Sequence, residues 1–213
     1  MTLFRVVIPF KAAGHKSRLE RRLGKIGARR FALCLLEDLL DVMKGAGPGQ
    51  ETALVTSDPE AERVGASRGI LVVKEREDGG VDSAVRAALS TAGAEDVVLV
   101  LPSDLPYLTL GDVHAAAGMA AEGFTVICPS SEFNGTNALT LRRIDSGILS
   151  YDKDSFWNHL GNASKAGLRV AVITGRGLMF DVDTEGDFAR LAGSGLVSRS
   201  ANMAKQEVSK WPS

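Results

Sequence analysis

The chain has 213 residues, of which 45% are hydrophobic and 24% charged, and its formal net charge is −1. This composition suits one α/β domain with a full hydrophobic core, and the near-zero charge excludes a global basic field that would attract nucleic acid. The two cysteines, Cys34 and Cys128, lack the paired spacing of a zinc site, so we expect buried thiols. The N-terminus leads directly into a strand and no apolar run approaches membrane-spanning length, which predicts a cytoplasmic protein without a membrane partner.

The first two thirds of the chain alternate short β-branched runs with amphipathic segments. Strands are predicted at 3–8, 52–56, 70–73, 97–101 and 124–128, and helices at 28–43, 59–66, 82–92 and 110–121. Such alternation is typical of a largely parallel sheet with helices on both faces.

The alternation breaks after residue 130. The run 135–141 follows the fifth strand too closely for a helical crossover, so we expect it to pair antiparallel or to lie at the sheet edge. A helix at 155–166, a strand at 170–173 and a helix from Thr184 to 192 complete one domain, 1–194. The remaining segment, 195–213, is polar and weakly periodic, which predicts a mobile tail or an oligomer contact.

The central stretch is the apolar run 97–101, which ends abruptly at Pro102 and is followed by Asp104 and Pro106. Five consecutive apolar residues predict a strand buried on both faces, and Pro106 forces the chain out of the sheet. In open α/β sheets, ligands bind just beyond the carboxyl ends of the strands. Asp104 is therefore well placed to hold a metal ion carried by a polyphosphate.

Two further polar clusters follow predicted strands, and we expect them to meet Asp104 at one crevice. One is a loop rich in cations, and the other is the pair Asp181 and Asp183. The cations are Lys11, Lys16 and Arg18, with Ser17 among them. Carboxylates suit Mg²⁺, and the cations would neutralise charge that grows on a leaving pyrophosphate.

Each cluster also has an ordinary structural explanation. The cationic loop is equally well a solvated loop, Asp104 a turn residue, and the pair Asp181 and Asp183 cap groups at a helix start. Gly79 and Gly80 are explained by a turn before a helix, and the three histidines show no ligand spacing. The residues alone therefore indicate a nucleotide-using α/β enzyme and nothing narrower.

Five motifs then resemble those of the 2-phospho-L-lactate guanylyltransferases, enzymes of coenzyme F-420 biosynthesis. They are Val7-x-Pro9-Phe10-Lys11 with Lys16-Ser17-Arg18-Leu19, Pro102-x-Asp104-Leu105-Pro106, Gly135-Thr136-Asn137-Ala138-Leu139, Ser155-Phe156-x-x-His159, and Asp181-Val182-Asp183-Thr184. They occur in order over about nine-tenths of the chain. The Asp-Leu-Pro and Asp-x-Asp-Thr elements are shared with the wider nucleotidyltransferase superfamily, whereas the other three are more particular to this family.

The resemblance implies a three-layer α/β/α, Rossmann-like nucleotidyltransferase fold (the nucleotide-diphospho-sugar transferase fold) with a mixed, mostly parallel sheet of about seven strands. It also implies transfer of GMP from GTP to 2-phospho-L-lactate or phosphoenolpyruvate, with release of pyrophosphate and Mg²⁺ as cofactor. No covalent protein intermediate is needed, so catalysis would be positioning and charge stabilisation.

The resemblance further implies roles for individual residues. Asp104 and Asp183 would hold the metal with Asp181 beside them, and Lys16, Arg18 and Asp104 would be catalytic. The nucleotide would be bound by Pro9, Phe10, Lys11, Lys16, Ser17, Arg18, Gly79, Gly80, Asp82, Ser83, Pro102 and Ser103. The acid would be bound by Thr136, Asn137, Asp152, Ser155 and His159.

This chain departs from the family pattern at two positions. Asp82 stands where the family often has asparagine, and a carboxylate accepts hydrogen bonds from guanine N–H groups but donates none to its carbonyl. Asp152 stands where a glycine commonly precedes the serine motif, and its carboxylate should not point at an anionic acid.

Two other functions remain open: a nucleotidyltransferase with a molybdenum-cofactor or sugar-phosphate acceptor, and a non-catalytic nucleotide-binding domain that regulates a partner. A binding domain would not need metal-holding acids opposite phosphate-gripping cations, which favours an enzyme. A homodimer through the exposed faces of residues 140–160 is a further prediction.

Overall fold

A computed structural model describes residues 3–11, 17–46, 50–74 and 80–211, with Ser17 described in its backbone only. Seven short apolar runs form strands. The strands are β1 (Phe4–Phe10), β2 (Gln50–Thr56), β3 (Leu71–Lys74), β4 (Val97–Val100), β5 (Thr125–Pro129), β6 (Thr136–Leu141) and β7 (Val170–Val172). They form one sheet in the order β3-β2-β1-β4-β6-β5-β7, in which β6 alone runs antiparallel to its neighbours.

Helices flank the sheet. They are α1 (Ser17–Met43), α2 (Pro59–Ser67), α3 (Val81–Ser90), α4 (Leu110–Ala121), α5 (Ser155–Lys165), α6 (Arg176–Met179), α7 (Glu185–Ala192) and α8 (Arg199–Val208), with a 3-10 helix at Arg143–Ile148. No helix within the described ranges is both long and apolar enough to cross a membrane.

Strand alternation divides the core into two layers. Val6 and Ile8 of β1 belong to a cluster with α1 and α4, whereas Val7 between them packs with α3 and α5 on the opposite face. This arrangement confirms the predicted three-layer fold and its mostly parallel sheet of seven strands. Of the two thiols that we expected to be buried, Cys128 is buried and Cys34 only half-buried.

The antiparallel pairing predicted for residues 135–141 is confirmed, but the alternative of an edge position is wrong. β6 lies inside the sheet, hydrogen-bonded to β4 on one side and β5 on the other. The connection from β5 is short, so β6 must turn back beside it, and β4 then pairs with its free side.

Helix α1 begins earlier than predicted. It starts at Ser17 rather than near residue 28, and it is broken at Gly24, whose φ of 67° is readily adopted only by glycine. The segment 17–27 is rich in charged residues, which hides its periodicity, although Leu19 is fully buried.

The C-terminal segment 195–211, predicted to be a mobile tail or an oligomer contact, contains a helix in the structure. Its helix α8 packs against α1 and α7, and Ala201 and Ala204 are buried there. They belong to a third apolar cluster, the C-terminal cluster, with Leu19 and Phe31 of α1, Val182 before α7, and Phe188 and Leu191 of α7. A contact with a second copy of the chain stays a prediction.

Asp38 of α1 holds the start of α8. Its two carboxylate oxygens accept from the backbone N–H groups of Arg199 and Ser200 at 3.0 and 2.9 Å, and from the Ser200 hydroxyl at 2.6 Å. The carboxylate thus serves the otherwise unpaired first N–H groups of the helix and lies at its positive end.

We expect Asp38→Ala to lower the free energy of unfolding by about 1–3 kcal/mol, since the backbone N–H and hydroxyl of the buried Ser200 lose their charged acceptor. The change is measured by denaturant unfolding. Glu207→Ala is the control, because it removes only the surface pair with Lys210 and should change stability by less than about 0.5 kcal/mol. Equal losses in both variants would contradict this account of α8.

Candidate active site

The candidate site lies at the edge of the sheet where the parallel strands β1 and β4 end. Because β6 is antiparallel to β4, its first residues, Thr136 and Asn137, lie at this same edge. Asp104 follows β4 by four residues and is only 8% exposed, beside the buried Ser103. The sheet therefore brings the predicted metal-holding acid and two predicted acid-binding residues to one place.

The loop that carries Asp104 is fixed from both sides. Leu105 and Leu108 anchor it in the core, and Thr109 ends it in a capping box with Asp112 at the start of α4. The backbone N–H of Val182 donates to the Asp104 carbonyl at 3.3 Å. This bond ties the Asp181–Asp183 loop to the Asp104 loop, although the two are far apart in sequence.

Asp181 feels the charges of the other two carboxylates. Burial first, then the charges of Asp104 and Asp183, raise the pKa of Asp181 to about 6. The Asn137 side chain opposes this rise, because its Nδ2 donates to Asp181 Oδ1 at 3.2 Å and also to the Met179 carbonyl at 3.1 Å. Asp181 thus lies close enough to the other two acids to be repelled by both.

A divalent cation would relieve that repulsion, and carboxylate oxygens are ligands that Mg²⁺ accepts. Within the described ranges, however, no three His, Cys, Asp or Glu side chains converge tightly enough to hold an ion by themselves. The donor set therefore fits a metal ion that takes one or two carboxylates and completes its shell with water and phosphate oxygens. A closed structural metal site does not fit.

The cationic loop is only partly described. Lys11 is half-buried just beyond β1, and Arg18 is exposed in the first turn of α1. Lys16 lies outside the described residues, as does the side chain of Ser17.

Two predicted nucleotide-binding residues are part of the core instead. Pro9 and Phe10 are strand residues of β1, and the Phe10 ring is 1% exposed in the cluster with α1. A ring that is covered by the core has no surface on which a ligand could stack, so the structure does not favour direct binding by the Phe10 side chain. The motif Pro-Phe instead ends β1 and delivers Lys11 to the site edge.

The segment predicted to contact the base surrounds the start of α3. Gly80 is its N-cap and is exposed, as is Ser83, whereas Gly79 lies outside the described residues. Asp82 has a contact that the sequence did not reveal: its Oδ1 accepts from the Tyr151 backbone N–H at 2.9 Å. One carboxylate oxygen of Asp82 thus holds the segment 149–154, which leads to the predicted acid-binding serine.

The predicted acid-binding residues form a second polar group around Thr136. Thr136 Oγ1 lies 2.9 Å from His159 Nδ1 and 3.3 Å from the hydroxyl of Ser155, the first residue of α5. Asp152, which lies three residues before Ser155 in the sequence, is exposed. His159 is 0% exposed and contacts Thr136 and Ser150, so its predicted contact with the acid stays a prediction that burial disfavours.

The two polar groups are joined by one strand. Thr136 points toward Ser155 and His159, while its neighbour Asn137 points toward Asp181, as side chains on opposite faces of a strand do. The hydroxyl cluster and the carboxylate cluster are therefore linked through two adjacent residues of β6. This arrangement suits a reaction between two phosphate groups whose charge a divalent cation would neutralise.

We expect Asp181→Asn to stabilise the metal-free protein at pH 8. The pKa of the Asp181 carboxyl is raised from 3.8 to about 6 in the folded state, so its contribution to stability is fully present below pH 3.8 and is lost as the pH rises through 6. A neutral amide does not ionise and loses nothing as the pH rises. The free energy of unfolding of Asp181→Asn should therefore exceed that of the wild type by about 2–3 kcal/mol at pH 8, and the difference should vanish near pH 4.

Unfolding titrations at several pH values measure this gain. Asp96→Asn is the control of opposite sign, because backbone N–H groups of Leu3 and Gly93 lower the pKa of Asp96. That variant should lose stability at neutral pH. A pH-independent effect of Asp181→Asn would refute the raised pKa.

Comparison with known protein families gives a match over nearly the whole chain. The model of the family described as "Guanylyl transferase CofC like" matches residues 4–206.

Several relatives carry guanylyltransferase names. The phosphoenolpyruvate guanylyltransferase of Rubrobacter xylanophilus is 36% identical over 92% of this chain and 97% of its own length. The 3-phospho-D-glycerate guanylyltransferase of Phenylobacterium zucineum is 30% identical over 93% of each chain. The 2-phospho-L-lactate guanylyltransferase of Halomicrobium mukohataei is 32% identical over 88% of this chain and 84% of its own.

Among solved structures, a protein of Desulfovibrio desulfuricans G20 described as a nucleotide-diphospho-sugar transferase superposes with a TM-score of 0.80. The superposition covers 98% of this chain and 96% of that one at 16% identity. This likeness shows the nucleotide-diphospho-sugar transferase fold.

Proposed function

The chain belongs to the family of CofC-like guanylyltransferases, and on that premise we propose that it joins GMP from GTP to a phosphorylated three-carbon acid. The acceptor we propose is phosphoenolpyruvate or 2-phospho-L-lactate, and the product serves coenzyme F-420 biosynthesis. Relatives with these two acceptors in their names are 36% and 32% identical to the chain. A phosphate oxygen of the acid bonds to the α-phosphorus of GTP, the α–β phosphoanhydride bond breaks, and pyrophosphate leaves with the electron pair.

The observation that carries this proposal is the joining of the two polar groups by β6. The Thr136 hydroxyl, whose oxygen accepts from the Ser155 hydroxyl, lies at the start of α5, where the helix dipole favours an anion. Asn137, one residue on, contacts Asp181 in the carboxylate group. The acid and the triphosphate would thus meet at the sheet edge, positioned for an in-line transfer.

The proposed cofactor is Mg²⁺, held by Asp104 and Asp183 with Asp181 beside them. When bound, it supplies charge neutralisation for the phosphates and the departing pyrophosphate. Lys11, Lys16 and Arg18 would grip the triphosphate from the β1 side, and the Gly79–Ser83 segment would contact guanine. Asp82 contributes here by holding the 149–154 segment through Tyr151.

Pyrophosphate release tests the function directly. Purified protein with Mg²⁺ and GTP is compared with phosphoenolpyruvate, 2-phospho-L-lactate, 3-phospho-D-glycerate and no acceptor. Release that requires one of the first two acids supports the proposal and identifies the acceptor. Release only with 3-phospho-D-glycerate would overturn the proposed acceptors, and no release with any acid would favour another acceptor or a non-catalytic role.

We expect Asp104→Asn to lower turnover by at least about a hundredfold while the fold stays intact, because an amide replaces a charged metal ligand. Steady-state kinetics and circular dichroism measure the two effects. Asp145→Asn is the matched control: this residue lies in the 3-10 helix after the far end of β6 and should leave turnover unchanged. Near-normal activity of Asp104→Asn would contradict the proposal that Asp104 holds the metal ion.

A further inference from the structure

The imidazole of His159 lies beneath the predicted acid pocket with both ring nitrogens engaged. Its Nδ1 is 2.9 Å from Thr136 Oγ1, and its Nε2 lies 3.0 Å from the backbone nitrogen of Ser150. The side chain is 0% exposed, so nothing in solvent reaches it. Its effect on a ligand must pass through Thr136 or through the Ser150 backbone.

The Ser150 contact determines which nitrogen carries the proton. A backbone N–H only donates, so Nε2 must accept, and in a neutral imidazole the proton is then on Nδ1. Nδ1–H therefore donates to Thr136 Oγ1. Burial keeps the ring neutral by lowering its pKa to about 4, against the opposing charge of Asp82, while the Tyr151 ring packs on it at 4.6 Å.

This tautomer decides the direction of the Thr136 hydroxyl. Its oxygen accepts from His159 Nδ1–H and, at 3.3 Å, from the Ser155 hydroxyl. Both lone pairs are then used, and the hydroxyl proton is left to be donated elsewhere. The Thr136 hydroxyl is therefore held as a donor, which is the role that an anionic ligand requires.

We propose that His159 is a positioning residue of the acid subsite, which keeps the Thr136 hydroxyl directed as a hydrogen-bond donor to the carboxylate or phosphate of the acceptor. The proposal rests on the proposed function for the identity of the ligand. It assigns His159 no contact with the acid and no proton transfer.

Two substitutions separate the two nitrogens of the ring. In His159→Asn, the amide nitrogen replaces Nδ1 and retains the donor to Thr136, whereas in His159→Gln the amide oxygen replaces Nε2 and retains only the acceptor for Ser150. We expect His159→Gln to raise the KM for the acid about tenfold to a hundredfold, the loss of one hydrogen bond to a charged ligand. The KM for GTP and kcat should change less than about threefold, and His159→Asn should stay within about threefold for all three parameters.

A merely structural role predicts a different pattern. It would lower the melting temperature and reduce kcat in both variants, and it would not raise the KM for the acid more than the KM for GTP. Equal rises in the acid KM for both variants, or a larger rise for His159→Asn, would overturn the proposal.

Thr136→Val provides a second test that does not alter His159. If His159 acts through the Thr136 hydroxyl, adding His159→Gln to Thr136→Val should change the acid KM by less than about twofold, whereas independent effects would multiply. Thr136→Ser, which retains the hydroxyl, should restore the dependence on His159. Multiplying effects would overturn the proposal even if His159→Gln alone behaves as expected.

Two measurements keep this inference distinct from the proposed function. Nitrogen NMR of the wild-type protein should show His159 protonated on Nδ1, and protonation on Nε2 would overturn the inference whatever the enzyme does. Calorimetric titration with phosphoenolpyruvate should show weaker binding in His159→Gln than in His159→Asn. If no acid supports pyrophosphate release but this order of affinity holds, the proposed function fails and the inference stands; equal affinities would overturn the inference.

Discussion

The site depends on one topological constraint, the insertion of an antiparallel strand between β4 and β5. β6 is hydrogen-bonded on both sides, so its first residues are held at the edge where the parallel strands end. The alternation of its side chains then directs Thr136 to α5 and Asn137 to Asp181. Backbone pairing thus fixes the two residues through which the cluster of carboxylates and the cluster of hydroxyls are linked.

Much of the fold could be predicted from the sequence because its signals are local. Runs of β-branched residues identified the strands, and Thr109 with Asp112 and Thr184 with Asp187 identified two helix starts through capping boxes that the structure contains. The short link before β6 was enough to predict an antiparallel pair. It was not enough to place β6 inside the sheet, because which strand occupies its other side is a long-range choice.

The parts that could not be predicted depend on partners distant in the chain. Asp82 contacts the backbone of Tyr151, 69 residues away, and no local pattern distinguishes that role from contact with a base. His159 belongs to a recognisable motif, but nothing in that motif indicates burial. The sequence therefore predicted contact with the acid for a side chain that the structure buries completely. Helices with many charges, such as the start of α1 and the whole of α8, become recognisable only when the surface that they cover is known.

The C-terminal cluster has a consequence for how variants of this chain will behave. It packs Leu19, on the helix that carries Arg18, against Val182, between the two aspartates of the site, and α8 closes it from outside. The start of α1, with the predicted phosphate-binding Arg18, and the loop with the predicted metal-holding aspartates thus share one apolar support. A bulky side chain at Ala204, which is buried in this cluster, would disturb the start of α1 and the Asp181–Asp183 loop together. A survey of mutants scored by turnover alone would misread such a change as damage to catalysis, unless folding were monitored in parallel.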